Sequence, residues 1–205
     1  MEEHSKTFNL NKNCVRVSVE QGIQLSEFCC GDDDLDDFFK NDAYLYSKQL
    51  LGKTYYFVTI QDPTIVAAFT VANDSIKAAL ISKSLRNKVQ RNIPNSKRTR
   101  NYPAILIARL GVSKKMKGKH IGGQVVDYIK TWFSDIENKS GCRFVVVDAY
   151  NKPEILKFYE SNGFKFLYSS EEDERETFMI NPSEHLRSRM MYYDLIYTRK
   201  SLNNS

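Results

Sequence analysis

The chain has 205 residues, a net charge of +5 and 41% hydrophobic residues, enough for a single domain whose core needs no covalent staples. Its four cysteines (Cys14, Cys29, Cys30, Cys142) show no CxxC spacing, and no apolar run nears the ~18 residues of a membrane helix. The cysteines therefore read as buried or half-buried thiols, and no transmembrane helix is expected. The first ten residues, MEEHSKTFNL, lack the basic and apolar regions of a secretory signal, so the chain reads as cytoplasmic with reduced thiols.

In chain order, residues 15–20 (VRVSVE) alternate apolar and polar as a half-buried strand does. Three aspartates then open a helix over residues 33–51, with Leu35, Phe38, Phe39 and Tyr46 on its apolar face. Aspartate at a helix start satisfies orphan N–H groups and complements the dipole, so this acidic cluster reads as capping and not as a metal site. Gly52 closes the helix. Residues 54–60 and 65–73 are β-rich runs joined through Asp62-Pro63, which predicts a hairpin. Residues 76–92 place Ile76, Leu80, Ile81, Leu85 and Val89 on one helical stripe. That helix ends in a basic Asn- and Pro-containing loop, expected to be exposed and mobile.

Residues 104–112 form an apolar run broken by Arg109, consistent with a central strand. The loop 113–120 leads into a helix whose Val125, Val126, Ile129, Trp132 and Phe133 face the sheet. A buried strand over 142–149 follows, then a short helix over 152–162 stopped by Asn162-Gly163. The remainder reads as a strand over 164–168, an acidic loop, a last strand over 190–198 and a frayed tail. The elements predict one domain over 1–205 of the α/β (α+β) class, with a mixed central sheet of seven strands and helices on both faces.

Charge is distributed unevenly. Acidic residues cluster at 32–37 and 171–176, basic ones at 83–100 and 114–119. A cofactor phosphate at one basic cluster and nucleic acid at the other would suit this asymmetry, although a solvated charged face explains either cluster alone. The unit 105–129, strand then basic glycine-containing loop then helix, aims several N–H groups at one point, and that point suits a phosphate.

A strand ending ARLGV, the basic loop, a glycine-rich helix start, a second strand and then FYESNGF together resemble the GCN5-related N-acetyltransferases over residues 104–168. The resemblance implies a mixed, mostly antiparallel sheet and acetyl-CoA as co-substrate, with no metal. It implies that the loop Lys117, Gly118, Lys119, His120, Ile121, Gly122 and Gly123 holds the pyrophosphate through its N–H groups. Lysine here replaces the family's usual Gln or Arg, and His120 replaces its first glycine. A side chain there is tolerable where φ is negative.

By the same resemblance, Leu110 and Val112 bind the pantetheine arm through their backbone. Asn151 touches that arm, and its plainer reading is as a turn or N-cap residue for the following helix, the two being compatible. Tyr159 protonates the departing thiolate, against the alternative of a packed aromatic bonded to backbone. No strong general base stands out, since Asp148, Glu154 and Glu160 read as structural or solvated. That favours an α-amine acceptor, which loses its proton at pH ~8, over a lysine at ~10.4, or else an ordered water as the base.

A second resemblance, through FCCGDDDLDDFFKNDA, the hairpin and FYESNGF, is to the acetyltransferase toxins of bacterial toxin–antitoxin pairs. It implies charged tRNA as acceptor and a small antitoxin as partner, and the family often forms homodimers. The main expectation is an N-acetyltransferase acting on an amine of unspecified class. The alternatives are the toxin activity, a non-catalytic acyl-CoA-binding relative, and a nucleic-acid-binding module using the basic residues of 83–119.

Overall fold

In the computed structural model, which describes residues 8–22, 28–90, 93 and 101–202, seven strands form one sheet in the order β1-β2-β3-β4-β5-β7-β6. In chain order the elements are α1 (Leu10–Asn13), β1 (Cys14–Ser18), α2 (Asp33–Asp37), α3 (Ala43–Lys48), β2 (Lys53–Thr59), β3 (Ile65–Lys77) and α4 (Lys83–Gln90). There follow β4 (Asn101–Val112), α5 (Ile121–Ser134), β5 (Phe144–Tyr150), α6 (Pro153–Ser161), β6 (Lys165–Phe166), α7 (Glu171–Phe178), β7 (Ser188–Asp194) and α8 (Ile196–Leu202). The pairs β1–β2, β2–β3, β5–β7 and β6–β7 are all antiparallel. This is the expected mixed, mostly antiparallel sheet. Most of the basic loop lies outside the described residues, as do residues 203–205 of the tail expected to fray from 200, whose residues 200–202 are instead helical. Among the described residues no helix is long and apolar enough to cross a membrane.

The chain divides into two compact units. The first comprises residues 1–72 and 107–129. Its core gathers Val19, Phe28, Phe39, Ala43, Tyr56, Val58 and Ala68. The helix predicted over 33–51 is interrupted here, because a π-helical turn over Phe38–Asp42 separates α2 from α3. Asp32 is the N-cap, its side chain accepting from the Leu35 N–H, as the aspartate cluster led one to expect. Helical order ends at Lys48, before the Gly52 expected to close the helix, and Leu50 takes a left-handed conformation with φ 59°. Gly52 serves close packing instead: a Cβ there would lie 2.8 Å from the Tyr46 ring and 3.0 Å from the Val71 carbonyl. The hairpin of β2 and β3 forms as predicted, with a register irregularity at Phe57/Val58.

The second unit comprises residues 73–106 and 130–205. Its core holds Ile76, Ile81, Val89, Tyr102, Phe144, Val146, Leu167 and Tyr192. Three sequence expectations fail in it. Residues 76 and 77 complete β3, and the helix assigned to 76–92 starts only at Lys83, where Ser82 accepts from the Leu85 N–H. The acidic 171–176 stretch is helical: Ser170 caps α7, and four acidic residues fill its first turn, a favourable arrangement against the helix dipole. The last strand ends at Asp194, whose carboxylate accepts from the Ile196 N–H and turns the chain into α8.

Candidate functional site

The glycine-containing loop is built in the first unit. Its entry is pinned on two sides: Ser113 donates its N–H to the Val66 carbonyl at 2.9 Å, and Lys114 donates to the Cys29 carbonyl at 2.9 Å. A single 3₁₀ turn follows over Lys114–Met116. The N–H groups of Met116, Lys117 and Lys119 bond within the loop, and Gln124 donates to the His120 carbonyl. Among the described residues, the N–H groups of Gly118, His120, Ile121, Gly122 and Gly123 find no acceptor. Five unbonded amides thus cluster at the start of α5, flanked by the exposed Lys115, Lys117 and Lys119. A helix N-terminus with adjoining free amides and cations suits a phosphate group.

His120 departs from expectation. Its φ is +55°, and Gly118 has φ +80°, so the condition of a negative φ is not met. Left-handed backbone costs an L-residue roughly 1–2 kcal/mol, and histidine enters this region more readily than most. The sequence carries no signal for this beyond the glycine that the resemblance places there. Replacing His120 with glycine relieves the strain but adds roughly 0.5–1 kcal/mol of chain entropy to the unfolded state. His120→Gly is therefore expected to move stability by no more than about 1 kcal/mol, toward greater stability. Urea unfolding checks this, with a higher midpoint at an unchanged slope.

Leu110 and Val112 are half-buried at the end of β4, directly before the loop. Gln124, which sequence reasoning passed over, holds the chain entry against α5: its side chain accepts from the Leu10 N–H at 2.7 Å and donates to the Phe8 carbonyl at 2.9 Å.

The second unit carries the other candidates. Tyr159 is buried on α6, and its ring packs edge-on against Phe158 at 5.0 Å and Phe164 at 5.3 Å. Its hydroxyl makes no hydrogen bond among the described residues, so the alternative of a tyrosine bonded to backbone is not met. Burial pushes its phenol above the usual value, so it keeps its proton at neutral pH. Asn162 and Gly163 end α6 as the sequence indicated, Gly163 with φ +80°. Lys130, almost wholly buried, donates to the Asn162 carbonyl at 2.7 Å.

Asn151 is not the N-cap of α6. Lys152 occupies that position, and Pro153 opens the helix without a side-chain cap. The Asn151 side-chain amide instead donates to Glu171 at 3.0 Å and to the Leu186 carbonyl at 2.9 Å. This leaves its carbonyl oxygen as the free end. Glu171 in turn pairs with Arg175 at 2.8 Å, and the Asn151 hydrogen bond holds its carboxyl below the ordinary range, with Arg175 assisting. Asp148, Glu154 and Glu160 are exposed, without the desolvated setting that activates a carboxylate base. Among the described residues no group of three His, Cys, Asp or Glu side chains is placed to hold a metal ion.

No family model matches the chain. A tRNA-acetylating toxin of Mycobacterium tuberculosis is 28% identical over 147 residues, which cover 72% of this chain and 81% of that protein. Among solved structures, AtaT complexed with acetyl-methionyl-tRNAfMet superposes with a TM-score of 0.69 at 15% identity, covering 93% of this chain and 99% of that one. A tyrosine-to-phenylalanine mutant of KacT superposes with a TM-score of 0.66 at 17% identity, covering 94% and 98%. The chain thus has the fold of AtaT and KacT, and its sequence is similar to that of a tRNA-acetylating toxin.

Proposed function

We propose that the chain transfers an acetyl group from acetyl-CoA to the α-amine of an aminoacyl-tRNA. The observation that carries this reading is the cluster of unbonded amides at Gly118 and His120–Gly123, set on an acetyltransferase fold in a chain similar to a tRNA-acetylating toxin. The loop takes the pyrophosphate, with Lys117 and Lys119 adding charge. Leu110 and Val112 offer backbone to the pantetheine arm, and the Asn151 side-chain oxygen can accept from one of its amides. Acetyl-CoA supplies an activated thioester when bound. Tyr159 donates its phenolic proton to the sulfur as the carbon–sulfur bond breaks and the nitrogen–carbon bond forms.

The acceptor follows from proton chemistry. An α-amine of pKa ~8 is neutral in useful proportion at physiological pH, whereas a lysine at ~10.4 requires a base. None of the candidate carboxylates is set up as one. The excess proton of the attacking amine then leaves to water. An antitoxin partner is part of the same reading, since an AtaT variant has been solved bound to the C-terminus of the antitoxin AtaR.

Incubation with charged tRNA and acetyl-labelled CoA tests the proposal. The label is expected on the amino acid and should be released from tRNA with it on mild alkaline hydrolysis of the ester. Label on lysine side chains of added protein and none on aminoacyl-tRNA would overturn the acceptor assignment. A thermal midpoint that does not rise with millimolar acetyl-CoA would overturn cofactor binding as well.

A further inference from the structure

We infer that Arg109 is an acceptor-binding residue, its guanidinium taking a backbone phosphate of the nucleic acid that carries the amine. The inference rests on the aminoacyl-tRNA reading above. Arg109 interrupts the apolar run of β4, one residue before Leu110. It is half-buried, and only its Nη1 is bonded, to the Ala108 carbonyl at 2.8 Å. Its Nε is buried without a partner, and no carboxylate pairs with it among the described residues. A half-buried cation with an orphaned donor is costly, and such a group calls for an explanation.

The surroundings define the missing ligand. The ring of Phe38 lies 5.0 Å from the guanidinium carbon and holds one face of it. Phe38 opens the π-helical turn that separates α2 from α3, and π-turns occur frequently at functional sites. On the same side of β4, a Cβ at Gly111 would meet Phe39 at 3.1 Å and Cys30 at 3.2 Å. Alternation along the strand turns Leu110 and Val112 to the opposite face. Arg109 therefore stands apart from the residues given to the cofactor.

The carboxylate of Asp36, on α2, is already committed: it accepts from the N–H groups of Cys30 at 2.7 Å and Gly31 at 3.2 Å and from the Cys29 thiol at 3.1 Å. With Nη1 occupied and Nε buried, what remains to meet a ligand is Nη2. Its N–H groups can donate to an oxygen of a phosphate or carboxylate. A nucleic-acid acceptor supplies the phosphate.

Arg109→Lys and Arg109→Met test this by direct binding of charged tRNA over a range of salt, alongside the acetyl-CoA thermal shift. Methionine keeps the packing of the stem, and lysine keeps the charge without the planar guanidinium that stacks on Phe38. Both variants are expected to bind charged tRNA about tenfold or more weakly, with the acetyl-CoA shift as in the unmodified protein. For Arg109→Met the slope of log affinity on log salt should fall by about 1. Wild-type affinity and slope in both variants would overturn the assignment, as would wild-type protein that binds no charged tRNA. Loss of the acetyl-CoA shift in both would make Arg109 a packing residue and equally overturn it. Binding that follows the expectation while no label reaches the tRNA would sink the transfer reading and leave Arg109 as the anion contact.

Discussion

Tyr159→Phe is expected to lower the rate of acetyl transfer by about 100-fold or more, the usual contribution of a positioned general acid, while leaving acetyl-CoA binding and stability unchanged. The reason lies in what the hydroxyl does not do. It makes no hydrogen bond among the described residues, so its removal orphans no partner, and the ring contacts with Phe158 and Phe164 remain available to phenylalanine. A buried tyrosine serving the fold through its hydroxyl would behave in the opposite way, losing stability before activity.

The pH profile gives a second handle on the same residue. Burial pushes the Tyr159 phenol up, so the acid form persists through and beyond neutral pH. The amine must be unprotonated to attack. The rate should therefore rise with pH through the amine's own pKa of ~8 and show no fall from tyrosine ionisation below the ordinary ~10. Measured single-turnover rates with acetyl-CoA and charged tRNA decide it. Full activity in Tyr159→Phe would remove the residue from the mechanism.

Much of this was legible in the sequence wherever one local signal had no competitor. The β-rich runs on either side of the Asp62-Pro63 turn form β2 and β3. Asn162-Gly163 marks the end of α6 because a positive φ suits glycine. The misreadings fall where two signals overlapped. Ile76, Leu80 and Ile81 fit a helical stripe, yet residues 75–77 also alternate, and Ile76 is buried as part of β3.

The acidic stretch at 171–176 has the composition of a loop, yet Ser170 ahead of it is the same kind of cap that Asp32 provides for α2. Asp194 likewise announced a helix start inside an apolar run. At the site, the cluster of amides followed from the strand, loop and helix pattern. The backbone angle of His120, the pairing of Asn151 with Glu171 and the orphaned Nε of Arg109 did not. Each depends on residues distant in sequence or on backbone geometry that side-chain patterns do not encode.

The Asn151 pairing leads to the largest expected change in stability. Glu174, 3% exposed at its side chain, meets Arg189, 10% exposed, at 2.6 Å, and also accepts from the Met190 N–H at 2.7 Å. These contacts join α7 to β7, and α7 carries the Glu171 that holds the Asn151 amide. Arg189→Met leaves a buried carboxylate with one amide for compensation, a change expected to cost about 3–5 kcal/mol at pH 7.

Burial already lifts the Glu174 carboxyl above its ordinary value, against the opposing pull of Met190 and Arg189. Without Arg189 it rises further, so the native state binds a proton at a pH where the unfolded chain does not. Proton uptake then favours the folded form as pH falls. The deficit of Arg189→Met relative to the unmodified protein should therefore shrink between pH 7 and pH 5, as read by urea unfolding at each pH. Replacing both partners, Glu174→Leu with Arg189→Met, removes the stranded charge and should recover most of the loss at pH 7, leaving the Met190 N–H as the residual cost. A deficit in Arg189→Met that stays constant with pH would mean that Glu174 keeps its charge without Arg189, held by the Met190 amide alone.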